Sequence, residues 1–132
     1  MTVVTTSRKA ANDLRALARH LAFATGARYL PRGKTGFAAL SDEAVILFTR
    51  EHGSVHLQVL EEGDVIHDFT IRRASIIERE GTIQRRLRIA DQSVYDVLKV
   101  YCDAELTGAT EPGIVFDGQQ KKRIVLEVGD DA

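Results

Sequence analysis

Seven cations stand in the first 40 residues of this 132-residue chain: Arg8, Lys9, Arg15, Arg19, Arg28, Arg32 and Lys34, with Asp13 the one acid among them, a balance of +6. Residues 41–132 carry 11 basic and 18 acidic side chains, and the whole chain comes to −1. A basic end on an otherwise acidic chain is the footprint of a polyanionic partner, usually nucleic acid. Arg32 and Lys34 flank Gly33 in the turn Pro31-Arg32-Gly33-Lys34-Thr35-Gly36, where backbone amides and two cations can meet a phosphate. The GxxxxGK[ST] spacing of a P-loop is absent. Two plainer readings stand beside this one: a solvated helix with a Lys/Arg-rich face, and an ordinary surface turn.

Other chemistry finds less support. His52 and His56 are four apart but fall in turn and strand, without the helix and intervening glutamate of a zincin. His56 reads as an exposed strand residue and His67 as a partly buried one held by a hydrogen bond. Cys102, the one cysteine, excludes an internal disulfide and a cysteine zinc cluster, and it reads as a small apolar residue. The acidic pairs Asp42-Glu43, Glu61-Glu62 and Asp130-Asp131 sit in turns or at the end. No nucleophile elbow is present. The expectation is a protein without a catalytic site, metal or cofactor.

The elements that would position the cations follow from periodicity. Thr2-Val3-Val4-Thr5-Thr6 reads as a buried strand. A helix is predicted from about Arg8 to Thr25, capped by Thr6 or Ser7 and ended by Gly26. Its stripe is Leu14, Leu17 and Leu21, extended by Ala10, Ala18 and Ala24. On this wheel Arg8, Arg15 and Arg19 form a ridge opposite the leucines. Ala27–Leu30 reads as a short strand and Phe37–Leu40 as one helical turn. Ala44–Phe48 is an apolar run suited to a strand covered on both faces. Val55, Leu57 and Val59 alternate with a wet face of Ser54, His56 and Gln58. Beyond the Glu61–Asp64 turn, Val65, Phe69 and Ile71 form the antiparallel partner. Ile83, Leu87 and Ile89 suggest a strand with Gln84, Arg86 and Arg88 outward and Arg85 out of pattern. A second helix is predicted over about Gln92–Leu106, then a loop over 107–113, and a hairpin pairs Ile114–Phe116 with Ile124–Leu126.

At 44% apolar and 28% charged residues the composition is globular, and its length suits one domain. Residues 1–128 are expected to form that domain and 129–132 an acidic tail. No apolar run approaches a membrane span, and Met1-Thr2-Val3-Val4 lacks the basic and apolar regions of a signal peptide, so the expected compartment is the cytoplasm. Strands and helices in this order imply an α/β fold with a mixed sheet.

The stretch Val3-Val4-Thr5-Thr6-Ser7-Arg8-Lys9, followed after a helix by Gly26-Ala27-Arg28-Tyr29-Leu30-Pro31-Arg32-Gly33-Lys34, resembles the opening of a Brix domain. That family begins with a strand ending in a TTSRK-like motif, then an arginine-bearing helix, then an aromatic residue just ahead of an RGK turn. Arg50-Glu51-His52-Gly53 and Asp68-Phe69-Thr70-Ile71 continue the likeness. Correspondence is densest over residues 2–55, continues to 80 and thins beyond. The resemblance implies a layered mixed sheet with flanking helices, similar to the anticodon-binding domain of class II aminoacyl-tRNA synthetases. It further implies an archaeal stand-alone protein resembling the branch associated with the U3 small nucleolar ribonucleoprotein. Such a protein would bind ribosomal RNA or its precursor during rRNA processing and subunit assembly, without catalysis. Arg8, Lys9, Arg15, Arg19, Arg28, Arg32 and Lys34 would then contact phosphates, and Tyr29 would stack on an unpaired base. The alternative is an adapter whose acidic C-terminal half docks a basic ribosomal or assembly protein.

Overall fold

The computed structural model describes residues 2–7, 11–30, 44–51, 53–62, 64–78, 81, 86–107, 113–118 and 121–129. The predicted turn at 31–36, the helical turn at 37–40, Ile83, Gln84, Arg85, His52 and the pairs at 42–43 and 130–131 lie outside these residues. Strand β1 (Thr2–Thr6) is buried, as its β-branched run demands. Helix α1 (Asn12–Thr25) returns the chain, and Gly26 ends it in the left-handed region at φ 75°. Strand β2 (Arg28–Tyr29) then lies parallel to β1, and β3 (Ala44–Glu51) lies parallel on its other side. Both faces of β3 are covered: Val45, Ile46, Leu47 and Phe48 are all buried.

The antiparallel strands β4 (Ser54–Glu61) and β5 (Asp64–Glu78) follow. Next come β6 (Leu87–Ile89), α2 (Gln92–Leu98), β7 (Ala104–Leu106), β8 (Ile114–Asp117) and β9 (Lys122–Gly129). Among the described residues nine strands make one mixed sheet in the order β2-β1-β3-β4-β5-β9-β8-β6-β7. The fold is α/β, as expected. Strand β5 joins the two ends. It pairs with β4 up to Ile71 and with β9 from Thr70 onward, so only Thr70 and Ile71 have both neighbours. A bulge at Arg72 marks the change of partner. One core serves both ends: Leu14, Leu17 and Leu21 of α1 pack with Phe48 and Leu57 as well as with Ile114, Phe116, Ile124 and Leu126. No helix among the described residues is long and apolar enough to cross a membrane.

Several expectations are corrected. Helix α1 begins at Asn12, not Arg8, and Ala11 occupies the cap position without a side-chain bond. Thr6 and Ser7 cannot cap it, because sheet pairing still holds them: Thr6 lies opposite Phe48, and the Ser7 N–H donates to the Phe48 carbonyl at 3.0 Å. Val65 does not share a face with Phe69 and Ile71. A bulge between them places it opposite Leu60, half exposed. The outer face of β4 is not simply wet, since Gln58 is buried and Leu60 packs on Val45 and Leu47. Arg88 turns inward onto Asp117 instead of facing water. Helix α2 stops at Leu98, not Leu106. The chain there must re-extend for β7 to pair in parallel with β6, and the Leu87 N–H bonds to the Asp103 carbonyl at 3.0 Å. Residues 104–106 are therefore strand.

Candidate nucleic-acid interface

Helix α1 presents Arg15 and Arg19 one turn apart on its exposed face, directly opposite the buried leucines. Neither arginine makes an ion pair with a described residue. Asp13, the one acid of the helix, stands two and six residues from them and so off their face, and it is claimed by another element. Arg50 at the end of β3 donates to its carboxylate at 2.7 Å. That hydrogen bond holds the Asp13 carboxyl below its ordinary range, with a smaller contribution from the Leu14 N–H. The arginine ridge is thus left without a counter-charge on its own helix.

The ridge has a neighbour that the sequence did not reveal. His20 follows Arg19 and is half-buried. A Cβ on Gly118, at the end of β8, would run into the His20 ring, 2.7 Å from Cγ. Glycine is what allows this hairpin to lie so close to the helix. Burial pushes the His20 pKa down, and the charges of Arg19 and Lys122 push it further in the same direction. Lys122 at the start of β9 therefore lies within electrostatic reach of the helix face. Lys121 and Lys122 are both exposed, and neither makes an ion pair with a described residue.

The hairpin that carries them is firmly anchored. Asp117 is fully buried and accepts from Arg123 Nε at 2.9 Å and Arg88 Nη2 at 3.2 Å. The Gly118 N–H donates to the Lys122 carbonyl at 2.8 Å, and Lys121 takes the left-handed conformation at φ 59°.

The remaining candidates divide. Arg28 is exposed on β2, but its register partner is Val3, whose face is opposite that of Val4 and α1. The structure therefore does not bring Arg28 onto the ridge. Tyr29 shares the Val4 face and packs against the core, half-buried. Arg8, Lys9, Arg32 and Lys34 lie outside the described residues.

No group of metal-ligating side chains forms among the described residues. Burial pushes the Cys102 thiol up to about 12, and its S–H donates to the Leu98 carbonyl at 3.4 Å. That is the setting of an inert thiol. His56 Nδ1 lies 2.8 Å from the Asp68 carboxylate, and the His67 ring stacks on Phe69.

No protein-family model matches the chain, and no curated protein matches it. Solved structures do. One is the crystal structure of Mil, an archaeal Imp4-like protein, at 17% identity and a TM-score of 0.61, covering 96% of this chain and 99% of that one. Another is a probable ribosomal biogenesis protein from Aeropyrum pernix K1, at 16% identity and a TM-score of 0.65, covering 99% and 96%. The fold is Brix-like. Both matches run the full length of the Brix-like architecture, from β1 through the β8–β9 hairpin. At these identities the likeness concerns the path of the backbone, and the chemistry of the ridge has to be argued from this chain's own residues.

Proposed function

We propose that this chain is a non-catalytic ribosome biogenesis factor that binds ribosomal RNA or its precursor, in the cytoplasm, during rRNA processing and subunit assembly. The observation that carries the reading is the exposed Arg15–Arg19 ridge, on a helix whose one acid lies off that face and is paired with Arg50. Guanidinium groups one helical turn apart suit successive phosphates of one strand. The Brix-like fold adds support, since a solved neighbour is named a probable ribosomal biogenesis protein. Within this reading residues 1–128 act as one unit, and the sheet and helices are layered as in an anticodon-binding domain. Arg8, Lys9, Arg28, Arg32, Lys34 and Tyr29 are the further contacts.

The adapter reading needs free carboxylates in the second half of the chain. Many are already paired there: Asp103 and Glu105 with Arg86, Asp96 with Lys99, and Asp117 with Arg88 and Arg123. This favours RNA over a basic protein partner. The test is the double variant Arg15→Gln/Arg19→Gln with ribosomal RNA fragments. Each lost phosphate contact lowers the slope of log affinity against log salt by about 0.7 for a single strand, so the pair should lower it by about 1.4. Unchanged affinity and slope in a normally folded variant would show the ridge to be merely solvated.

A further inference from the structure

We infer that the turn joining β8 and β9 is the second wall of the phosphate track: Lys121 and Lys122 hold the same RNA backbone as Arg15 and Arg19, with His20 as the floor between them. This rests on the RNA-binding reading above and extends it to a segment a hundred residues away in sequence.

Strand parity places the parts. Gly118 continues the alternation of Ile114 and Phe116, whose side chains face α1. A side chain at 118 would therefore project at the helix, and the Cβ clash with His20 confirms the direction. Lys122 continues the alternation of Ile124 and Leu126, so it leaves β9 on the helix side, just past the end of the core. In this placement the charges of Arg19 and Lys122 both add to burial in lowering the His20 pKa. With that pKa lowered, the imidazole is neutral at neutral pH and does not pair with the strand as a cation.

Arg19 and Lys122 thus reach one half-buried ring from two elements, with Arg15 one turn before Arg19 and Lys121 next to Lys122, and none of the four is ion-paired to a described residue. Like charges gathered this way repel one another, and a polyanion relieves the repulsion. The anchoring is what a binding wall needs. The buried Asp117, clamped by Arg88 and Arg123, fixes the hairpin, and the Gly118 contact fixes its distance from the helix.

The experiment compares three double variants of equal charge change on the full chain, using a fluorescent single-stranded oligouridylate over a salt series. Lys121→Gln/Lys122→Gln should weaken binding severalfold and lower the salt slope by about 1.4, like Arg15→Gln/Arg19→Gln. Arg72→Gln/Arg73→Gln serves as the control. Arg73 lies opposite Glu127, five residues along β9 from Lys122 and so about 17 Å away. It should lower the slope by less than half as much. Gly118→Ala tests the geometry without touching charge. It should weaken binding, and adding His20→Ala should restore most of the loss. Circular dichroism melts confirm that each variant is folded.

If the lysine pair leaves affinity and slope unchanged while the arginine pair lowers both, the second wall is wrong and the RNA reading stands. If neither pair matters, the RNA reading fails and takes this inference with it. A control that weakens binding as much as the lysine pair would mean that net charge alone is being read, which also overturns the wall.

Discussion

The two ends of the sheet are built to one plan and use their charges in opposite ways. Strand, helix and three strands (β1-α1-β2-β3-β4) stack toward β5 in the order β2-β1-β3-β4. The later set (β6-α2-β7-β8-β9) stacks toward β5 from the other side in the corresponding order β7-β6-β8-β9. The match is not complete, since β1 runs parallel to β3 whereas β6 runs antiparallel to β8. In the first set the helix is long, 14 residues, uncapped by any side chain, and held by buried leucines and alanines. In the second the helix has 7 residues, and the Asp91 carboxylate caps it through the N–H groups of Ser93 and Val94. The first set leaves two arginines on its helix without an ion pair among the described residues. The second ties up Arg86, Arg88, Lys99 and Arg123 in ion pairs and leaves Lys121 and Lys122 without one among the described residues. The lesson is that a charge count describes composition, whereas availability depends on which carboxylates the fold brings near.

The comparison can be broken most severely at α1. Leu17 is 4% exposed and belongs to the core shared by both ends. Leu17→Asp places an unpaired charge there and should unfold the whole chain at room temperature, β8–β9 included. Arg15→Asp, on the opposite face, should stay within about 0.5 kcal/mol of wild type. Denaturant melts followed by circular dichroism separate the two. Equal losses would mean that the helix is oriented differently.

The second set has its own weak point at Asp117. Removing the carboxylate leaves Arg88 and Arg123 facing each other, and both are largely covered, at 19% and 27% side-chain exposure. Asp117→Ala should cost about 3 kcal/mol, the lower end for a broken buried pair, because water still reaches the arginines. A loss below about 1 kcal/mol would show that the clamp does not hold the hairpin. A smaller effect sharpens the contrast in capping. Asp91→Ala should destabilise α2 by about 1 kcal/mol, and Ala11→Ser, at an extended residue already in cap geometry, should stabilise the chain by a similar amount. If Ala11→Ser gains nothing, packing alone sets the start of α1.

Much of the first set was legible in the residues. The Leu14-Leu17-Leu21 stripe, the glycine stop at 26 and the doubly buried β3 all follow from local periodicity and backbone preference. The second set was read less well because its boundaries are decided at long range. The spacing of Val94, Val97, Leu98 and Tyr101 continues a helical pattern past Leu98. Only parallel pairing with β6, seventeen residues earlier in sequence as in Leu87 opposite Ala104, turns residues 104–106 into a strand. The second half of β5 escaped notice because the bulge at Arg72 breaks its alternation. The candidate site divides the same way. Arg15 and Arg19 were visible on a helical wheel. Arg28 was carried to the opposite face by strand parity. Lys122 comes within electrostatic reach of His20 only because a glycine 98 positions from His20 lets a hairpin approach the helix.

The smallest expected effect lies at Asp13–Arg50, which links α1 to β3. The pair is exposed, with side chains 62% and 41% accessible, so solvent screens it and it should contribute less than about 1 kcal/mol. Its sign with pH is nevertheless fixed. The folded-state pKa of Asp13 lies below the ordinary 3.8, so its contribution is complete above that value. It is lost as pH falls through the folded pKa. Asp13→Asn should therefore lower the melting temperature slightly at neutral pH, and the difference from wild type should vanish in strong acid. For RNA the same variant acts the other way. It removes the one acid of the helix and frees the Arg50 guanidinium at the end of β3, so affinity for single-stranded RNA should rise modestly and the salt slope should steepen. Weaker RNA binding by a folded Asp13→Asn protein would mean that the pair is needed to position the helix, and that the negative charge of Asp13 does not oppose RNA at the ridge.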